Sequence, residues 1–250
     1  MRNSIPSELI GALKEAQEVL VFTGAGVSAE SGVSTFRDAL TGLWARFDPV
    51  QLATPEAFLA DPALVWGWYE WRRQLLLRAE PNPAHRAIVE MAKKVPQLTV
   101  VTQNVDDLHE RAGSQDVLHL HGSIFNPRCF DCAQPYVLQQ PPMLAQEQAV
   151  APPRCNHCQG LIRPGVVWFG ESLPQEPMVA AFAAAEGCDV LLSIGTSGVV
   201  QPAAKIPSIA LCSGAWVVHI NPDPVPSRHP RELSLAGTAG QILPALLASY

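Results

Sequence analysis

Two pairs of cysteines have the residue type and spacing that most directly indicate chemistry. "CFDC" contains Cys129 and Cys132, and "CNHC" contains Cys155 and Cys158. Four thiolates in two such pairs can complete a tetrahedral shell around zinc, which leaves no coordination position for water or substrate. We therefore predict a structural zinc site, with redox-active or unligated cysteines as the less favoured alternative.

Polar side chains follow two apolar runs that are typical of buried strands. Gln103, Asn104 and Asp106 follow one run, where amides and a carboxylate can hydrogen-bond a ribose or carboxamide, although Asn and Asp also cap ordinary loops. In "HLHG", His119 and His121 lie on one strand face, and either can be a general base near neutral pH. The spacing leaves the choice between these two histidines open.

A glycine-containing loop follows the first apolar run. In "VFTGAGVSAESG", Gly24 and Gly26 come directly after a strand, and Ala29 takes the third position of a dinucleotide-binding fingerprint. Such a loop allows the backbone to approach a pyrophosphate, but glycine turns after strands are also common without a ligand. The following "STFRDALTGLWARFDP" is not strand-like, which disfavours a hydride-transfer enzyme.

Strands and helices must alternate to position these residues. Apolar runs recur at "VLVFTGAG", "LTVVTQN", "VLHLHG", "DVLLSIGTS" and "AWVVHINP", and helical patterns such as "NPAHRAIVEMAKK" and "MVAAFAAAEG" lie between several of them. Strands rich in β-branched residues suit a parallel sheet that is covered on both faces. The predicted fold class is α/β, a Rossmann-like doubly wound parallel sheet.

Two insertions interrupt this alternation and are expected to form a small lobe. Residues of about 40–83 are aromatic-rich and helical in pattern, and about 127–163 contain the cysteine pairs. The large lobe would then comprise about 1–39, 84–126 and 164–250 of one catalytic domain. Ligands usually bind in the cleft between lobes, at the carboxyl ends of the strands.

Composition excludes some classes of partner. The net charge is −6 and no basic stripe is present, so we expect neither nucleic acid nor an anionic membrane surface as a partner. No stretch reaches the roughly 18 uninterrupted apolar residues of a membrane span, and the N-terminal sequence lacks a secretion signal. A cytoplasmic location is the resulting expectation.

Taken in their order and spacing, several motifs resemble the sirtuin family of NAD-dependent protein lysine deacylases. They are "GAGVSAESGVSTFRD", "TQNVD", "HG", the two cysteine pairs, "VVWFGE", "GTSGVVQPAA" and "INP", and they extend from about Val19 to Leu247. The resemblance implies a large lobe that binds NAD, a small lobe with one structural zinc, and an acyl-lysine peptide in the cleft. It also implies the products nicotinamide, O-acyl-ADP-ribose and free lysine.

The resemblance assigns roles to individual residues. It implies that His121, rather than His119, is the general base, that Gln103 and Asn104 hold the nicotinamide ribose, and that Asp106 holds the carboxamide. The other implied cofactor contacts are Gly24, Ala25, Gly26, Ser28, Glu30, Thr35, Phe36, Arg37, Trp44, Val105, Gly195, Thr196, Ser197, Asn221, Pro222, Asp223 and Ala239. The implied peptide-binding residues are Val167, Trp168, Phe169 and Gly170, which would pair their backbone with an extended substrate.

The adjacent arginines of "YEWRR" raise a question of substrate choice. Tyr69 and Arg72 share a helix face, whereas Arg73 is rotated away and is expected to be structural or solvent-facing. "YEWR" also resembles the Tyr-x-x-Arg motif of sirtuins that remove succinyl and malonyl groups, in which Ala53 leaves room for a longer acyl chain. We predict that Arg72 binds a carboxylate on the acyl group, with acetyl still accepted. The alternative is an arginine whose stem covers apolar surface or that pairs with a surface acid.

Two other functions use similar residues. One is a zinc-ribbon binding protein that only senses NAD or ADP-ribose, and the other is mono-ADP-ribosyl transfer to protein. A sensor has no need of His121, and a transferase increases the mass of its protein target.

Overall fold

The computed structural model describes residues 5–33, 48–138 and 148–249, and within them six parallel strands form the main sheet. Its strands are β1 (Glu18–Thr23), β2 (Gln97–Thr102), β3 (Leu118–His119), β6 (Val190–Ile194), β7 (Trp216–Asn221) and β8 (Glu232–Ala236). Their spatial order is β3-β2-β1-β6-β7-β8. The order reverses between β1 and β6, so the crevice outside the carboxyl ends of these strands is the expected ligand position.

Helices cover both faces of this sheet, as the sequence predicts. They are α1 (Ser7–Glu15), α5 (Pro83–Ala92), α6 (Leu108–Ala112), α7 (Gln175–Gly187), α8 (Ile206–Cys212) and α9 (Ala239–Ser249). Leu9, Met91 and Leu243 belong to the apolar core on one face, and Ala181 and Ile206 belong to the core on the other. Burial on both faces explains why β1 and β6 are almost entirely apolar.

The two inserted segments pack around a third apolar core, to which Ile124, Val166 and Trp168 of the adjoining chain also contribute. The first contains α2 (Pro49–Leu52), α3 (Pro55–Ala60) and α4 (Pro62–Arg78), and the second contains the antiparallel pair β4 (Arg128–Cys129) and β5 (Ile162–Arg163). Asp61 caps α4 by accepting a hydrogen bond from the Leu64 N–H at 3.0 Å. The aromatic face of α4 packs on Trp168, and this arrangement places the helix beside the "VVWFGE" segment.

The structure differs from the sequence expectation in two places. The predicted strand "VLHLHG" is reduced to Leu118–His119, because the chain turns at Gly122, whose φ is +71°. The apolar runs do not predict the edge strand β8 or the helices α8 and α9; β8 alternates polar and apolar residues and is only partly buried. No helix in the described part of the chain combines the length and the apolar character needed to cross a bilayer.

Candidate active site and metal centre

Two loops meet at the reversal point of the sheet. The Gly26 N–H donates to the Gly195 carbonyl at 3.0 Å, and the Gly24 N–H donates to Ile194 O at 3.0 Å. A Cβ on Gly26 would lie 2.6 Å from the Gly195 Cα, and Gly195 itself has φ +61°. The close approach of these two loops is therefore a structural reason for glycine at both positions.

The amide loop (residues 103–107) leaves the end of β2 and is fixed by buried side chains. Asn104 Nδ2 donates to Ser28 Oγ at 3.1 Å, and Ser28 Oγ donates to Asp106 Oδ2 at 3.0 Å. Burial raises the pKa of Asp106, whereas the Leu108 N–H and the Ser28 hydroxyl lower it. The structure thus brings together Ser28, Asn104 and Asp106, which the sequence analysis named separately.

His121 lies directly beside this loop. Its Nδ1 is 2.9 Å from the Gln103 carbonyl, which can only accept a hydrogen bond, so Nδ1 carries the proton. In the neutral ring, Nε2 is then the basic nitrogen. Burial lowers the pKa of His121, although the Gln103 carbonyl opposes this effect. His121 is therefore held as a neutral imidazole that can accept a proton near neutral pH.

A buried polar chain that sequence reasoning missed supports the same loop. Thr23 Oγ1 donates to Thr102 Oγ1 at 2.8 Å, and Thr102 Oγ1 accepts the Asn104 N–H at 3.1 Å. His109 Nε2 is 3.0 Å from Thr23 Oγ1, and burial lowers the pKa of His109 to about 3. This histidine is therefore neutral, and its contact with Thr23 supports the amide loop through Thr102.

The residues expected near the adenosine half follow β6 and β7. Asn221 Nδ2 donates to the Thr196 carbonyl at 3.3 Å, which ties these two strand ends together. A cavity of about 260 Å³ is lined by Gln103, Thr196 and Ser197, together with residues of α8. Pro222 and Asp223 are exposed just beyond β7. Apart from those of α8, these residues all lie at or just beyond the carboxyl ends of β2, β6 and β7.

Glu30 contacts the protein itself in this structure. Its carboxylate accepts hydrogen bonds from Thr238 Oγ1 at 2.9 Å and from the Gly240 N–H at 2.6 Å, on either side of the buried Ala239. An acid at this first turn also interacts favourably with the helix dipole of α9. Glu30 therefore links the glycine loop to α9.

The remaining cofactor candidates have simpler positions. Ala25 begins a 3₁₀ turn after β1, and the Val105 carbonyl accepts the Ile124 N–H at 3.0 Å. Thr35, Phe36, Arg37 and Trp44 lie outside the described residues.

Aromatic residues form the wall of the cleft where an acyl chain is expected. The Tyr69 hydroxyl accepts a hydrogen bond from Trp168 Nε1 at 3.0 Å, which leaves the hydroxyl proton available to another acceptor. Burial raises the pKa of Tyr69 to about 12, so the hydroxyl is protonated. The Arg72 guanidinium is 5.0 Å from the Trp68 ring centroid, and burial lowers its pKa while Tyr69 and Asp106 raise it. Arg72 therefore lies on the side of α4 that is close to the amide loop.

Arg73 has a different environment from Arg72. It is buried and forms an ion pair with Glu70 on the same helix. This contact satisfies a buried charge within the helix, so the interpretation of Arg73 as structural agrees with its position.

The "VVWFGE" segment (residues 166–171) already uses several of its N–H groups. The Val167 N–H donates to the His121 carbonyl at 2.8 Å, and the Phe169 N–H donates to the Ala53 carbonyl at 2.9 Å. The Trp168 N–H donates to Glu171 Oε2 at 2.8 Å. A peptide strand would therefore have to use carbonyl groups here, or groups near Gly170.

Arg163 and Glu171 hold this segment, and sequence reasoning did not identify the pair. Arg163 forms a fork with the two carboxylate oxygens of Glu171 and also donates to the Val166 carbonyl at 3.1 Å. Its guanidinium lies 3.5 Å from the Trp168 ring centroid. The buried Arg163 side chain thus holds the "VVWFGE" segment in place.

The four paired cysteines converge at the ends of β4 and β5. The sulfur atoms of Cys129, Cys132, Cys155 and Cys158 all lie within 4.8 Å of one another. A tetrahedral ion with metal–sulfur bonds of about 2.3 Å requires sulfur atoms roughly 3.8 Å apart, which agrees with this cluster. The donor set therefore fits a metal ion with four sulfur ligands.

Comparison with known proteins identifies the family. The sequence model of the Sir2 family matches residues 24–202, most of the chain. The chain belongs to the Sir2 family. This Sir2 protein is 61% identical over 241 residues to the NAD-dependent protein deacylase 1 of Pseudomonas aeruginosa, covering 96% of both chains.

Solved structures support the same assignment. A mutant Sir2 homologue in complex with 2'-O-acetyl ADP-ribose is 43% identical with a TM-score of 0.88, and the match covers 98% of this chain and 96% of that one. A complex of Sir2 with a p53 peptide and NAD⁺ is 28% identical with a TM-score of 0.83, and the match covers 98% of each chain. The Rossmann-like fold and the family predicted from the motifs are thus confirmed.

Proposed function

We propose that this Sir2 protein is an NAD-dependent protein-lysine deacylase that gives nicotinamide, O-acyl-ADP-ribose and free lysine. The observation that carries the proposal is the position of His121. Its Nδ1 is oriented by the Gln103 carbonyl, and its own carbonyl is bonded to the Val167 N–H of the "VVWFGE" segment. A general base is thus joined both to the amide loop and to the segment expected to bind peptide.

Different residues of this chain would bind the cofactor and transfer the proton. NAD, when bound, supplies the ribose carbon that the acyl oxygen attacks as nicotinamide leaves. Gln103 and Asn104 would hold the ribose, Asp106 would bind the carboxamide, and His121 Nε2 would accept a ribose hydroxyl proton. The glycine loops and the surface containing Thr196 would bind the rest of the cofactor. The name of the relative from Pseudomonas aeruginosa and the 2'-O-acetyl ADP-ribose in the complex of the similar structure support the proposed reaction and its product.

The four-cysteine cluster is proposed to hold one structural zinc ion. Cys129, Cys132, Cys155 and Cys158 would complete its coordination, so no position remains for a reacting group. The two inserted segments that surround this cluster are proposed to form a small lobe of the catalytic domain, against the sheet-containing large lobe.

Acyl groups that end in a carboxylate are the proposed preferred substrates, with acetyl also accepted. A guanidinium can bind a carboxylate through two hydrogen bonds, and the Tyr69 hydroxyl can donate a third. The resemblance to the Tyr-x-x-Arg class also implies that the small side chain of Ala53, which is buried here, leaves room for a longer acyl chain. Charge-assisted hydrogen bonds contribute about 1.5–3 kcal/mol each, which is enough to favour succinyl or malonyl over acetyl by about tenfold or more.

Arg72→Met tests this preference directly. Purified protein is incubated with NAD and one lysine peptide that carries acetyl, succinyl or malonyl, and mass spectrometry follows peptide, nicotinamide and O-acyl-ADP-ribose. We expect the variant to lose at least about tenfold in kcat/KM for succinyl and malonyl peptides and to keep most of its activity on acetyl peptide. Arg78→Met is the matched control, because Arg78 is exposed in the last turn of the same helix.

The same assay separates the rival functions. Unchanged desuccinylation in Arg72→Met would refute the role of Arg72 and leave the deacylase proposal standing. Absence of nicotinamide release with all three peptides would favour an NAD or ADP-ribose sensor. A mass increase of the protein target by one ADP-ribose would favour transfer to protein.

A further inference from the structure

His119 bridges two groups that can only accept hydrogen bonds. Its Nδ1 is 3.1 Å from the Asn104 carbonyl, and its Nε2 is 2.6 Å from Glu110 Oε1. A carbonyl carries no proton, and the Glu110 side chain is 41% exposed, so its carboxylate is ionised near neutral pH. A neutral imidazole has one N–H and can satisfy only one of these two acceptors.

From this geometry we infer that His119 is a positioning residue, held as an imidazolium that donates to Glu110 on one side and to the Asn104 carbonyl on the other. His121, two residues further along the chain, makes the equivalent contact with the carbonyl of the preceding loop residue, Gln103. Two histidines on one side of the chain thus fix two consecutive peptide units of the amide loop. The two rings therefore differ in charge: His119, which has two acceptors, is an imidazolium, and His121, which has one acceptor, is neutral.

Charged neighbours of His119 favour this assignment. Burial lowers the pKa of His119, but the Glu110 carboxylate, the Asn104 carbonyl and the Asp106 carboxylate outweigh burial and raise it above the ordinary value. Asp107 and His109 also interact electrostatically with the ring, and His109 is neutral because burial lowers its pKa to about 3. Acids therefore dominate the surroundings of His119.

The consequence for the amide loop depends on pH. When the His119 imidazolium loses one proton, the remaining N–H stays on Nε2, because the Glu110 carboxylate is a stronger acceptor than the Asn104 carbonyl. Because the folded-state pKa of His119 is raised, the bond to Asn104 is fully present below about pH 6.5 and is lost as pH rises through that raised pKa. The Asn104 side chain also holds Ser28, so loss of this bond loosens the loop where it meets the glycine turn. This inference deepens the proposed function, since it rests on the proposed contact of Asn104 with the cofactor ribose.

The protonation state can be measured without any substrate. Protein labelled with ¹⁵N-histidine is examined by NMR between pH 5.5 and 9, and His119→Gln assigns the signals. We expect both His119 nitrogens to carry protons at pH 7, while His121 shows a proton on Nδ1 alone. A His119 ring with a single proton at pH 7 would overturn the inference.

Binding of ADP-ribose then tests the positioning role. Calorimetry is used to follow its Kd over the same pH range, and we expect affinity to weaken about 2- to 10-fold as His119 loses its proton. Glu110→Gln should move the midpoint of that change down by about one pH unit or more, because an opposite charge beside the ring is removed. Glu90→Gln is the matched control: it removes the same charge from an exposed pair with Lys93 on α5.

Failure of this inference is distinguishable from failure of the proposed function. A midpoint that Glu110→Gln leaves unmoved would contradict the positioning role even if the protein deacylates peptides. A doubly protonated His119 with the expected shift in ADP-ribose affinity would support the positioning role even if no acyl peptide were turned over.

Discussion

A single hydrogen bond fixes which ring nitrogen of the proposed general base, His121, carries the proton. Because His121 Nδ1 donates its proton in a hydrogen bond to the Gln103 carbonyl, the lone pair of the neutral ring lies on Nε2, away from that contact. Burial lowers the pKa of this ring, which keeps it neutral at a pH where an exposed histidine is partly charged. The local structure thus prepares His121 to accept a proton.

Replacement of His121 should separate catalysis from binding. We expect His121→Ala to reduce kcat for deacylation by about 10²- to 10⁴-fold and to weaken ADP-ribose binding by less than about tenfold, because it removes the proton acceptor but only one of several contacts to the cofactor. Wild-type kcat/KM should rise with pH through a midpoint below about 6.5, since the neutral ring is the active form and its pKa is lowered. Steady-state kinetics from pH 5 to 8 and calorimetry measure both quantities.

His229→Ala is a suitable control for this experiment, because His229 is exposed in the loop before β8. Activity of His121→Ala close to that of this control would show that another group accepts the proton.

Residue types in fixed motifs are the easier part of the site to predict. The family resemblance selects His121, and helix spacing alone separates Arg72 from Arg73. Glu110 escapes prediction because it is a polar residue on a short helix with no motif, and its importance arises only from the approach of that helix to His119. Such contacts depend on tertiary packing, which local sequence does not encode.

At the scale of elements, the "VVWFGE" segment depends on a support that lies behind it. Arg163 in β5 is buried, and its fork with Glu171 fixes the turn in which Trp168 is held. Burial raises the pKa of Glu171, but Arg163 outweighs this effect and the net shift is downward. The cation and the segment therefore form one unit.

Glu171→Gln should affect the peptide more than the cofactor. Loss of charge-assisted hydrogen bonds costs about 1.5–3 kcal/mol each, so we expect KM for acyl peptide to rise about tenfold or more while KM for NAD stays within about twofold. Steady-state kinetics with each substrate varied in turn measure this difference. Glu176→Gln, in the first turn of α7, serves as a control, and an equal rise in both constants would argue for a general loss of structure.

Elements with continuous apolar runs are predictable from the sequence, and those without are not. Strands β1, β2, β6 and β7 follow such runs because both their faces are covered. The edge strand β8 escapes prediction because "ELSLA" has one partly solvated face and resembles a loop in composition. The short β3 shows the opposite error: the run "VLHLHG" predicts a strand as far as Gly122, whereas the strand in the structure contains only Leu118–His119.

At the scale of the whole molecule, a row of aromatic rings lies within the core around Trp168. Phe130, between the first two cysteines, stacks on Phe58 with ring centroids 5.4 Å apart and lies 6.5 Å from the Trp168 ring. Trp168 in turn bonds the Tyr69 hydroxyl. A continuous path of packed side chains therefore connects the cysteine cluster to the wall of the cleft, while the sheet and its helices have separate cores.

Loss of the proposed zinc ion should therefore weaken peptide binding before it affects the sheet. We expect Cys132→Ser to lose bound zinc, to unfold the segment around the cysteines, and to bind acyl peptide at least about tenfold more weakly, because Phe130 then no longer supports Trp168. ADP-ribose affinity should change less, since Val27 next to the glycine loop and the residues of β6 belong to the cores of the sheet. Metal analysis, hydrogen exchange and calorimetry on the full chain measure these three effects.

Cys212→Ser provides the matched control, because Cys212 is an exposed cysteine on α8, remote from the cluster in sequence. Hydrogen exchange should show increased exchange in residues 127–138 and 148–163 of Cys132→Ser and unchanged protection of β1 and β6. Full zinc content with unchanged exchange in Cys132→Ser would contradict a structural role for the cluster. Equal loss of protection in β1 and β6 would show instead that the sheet and the segment around the cysteines unfold together.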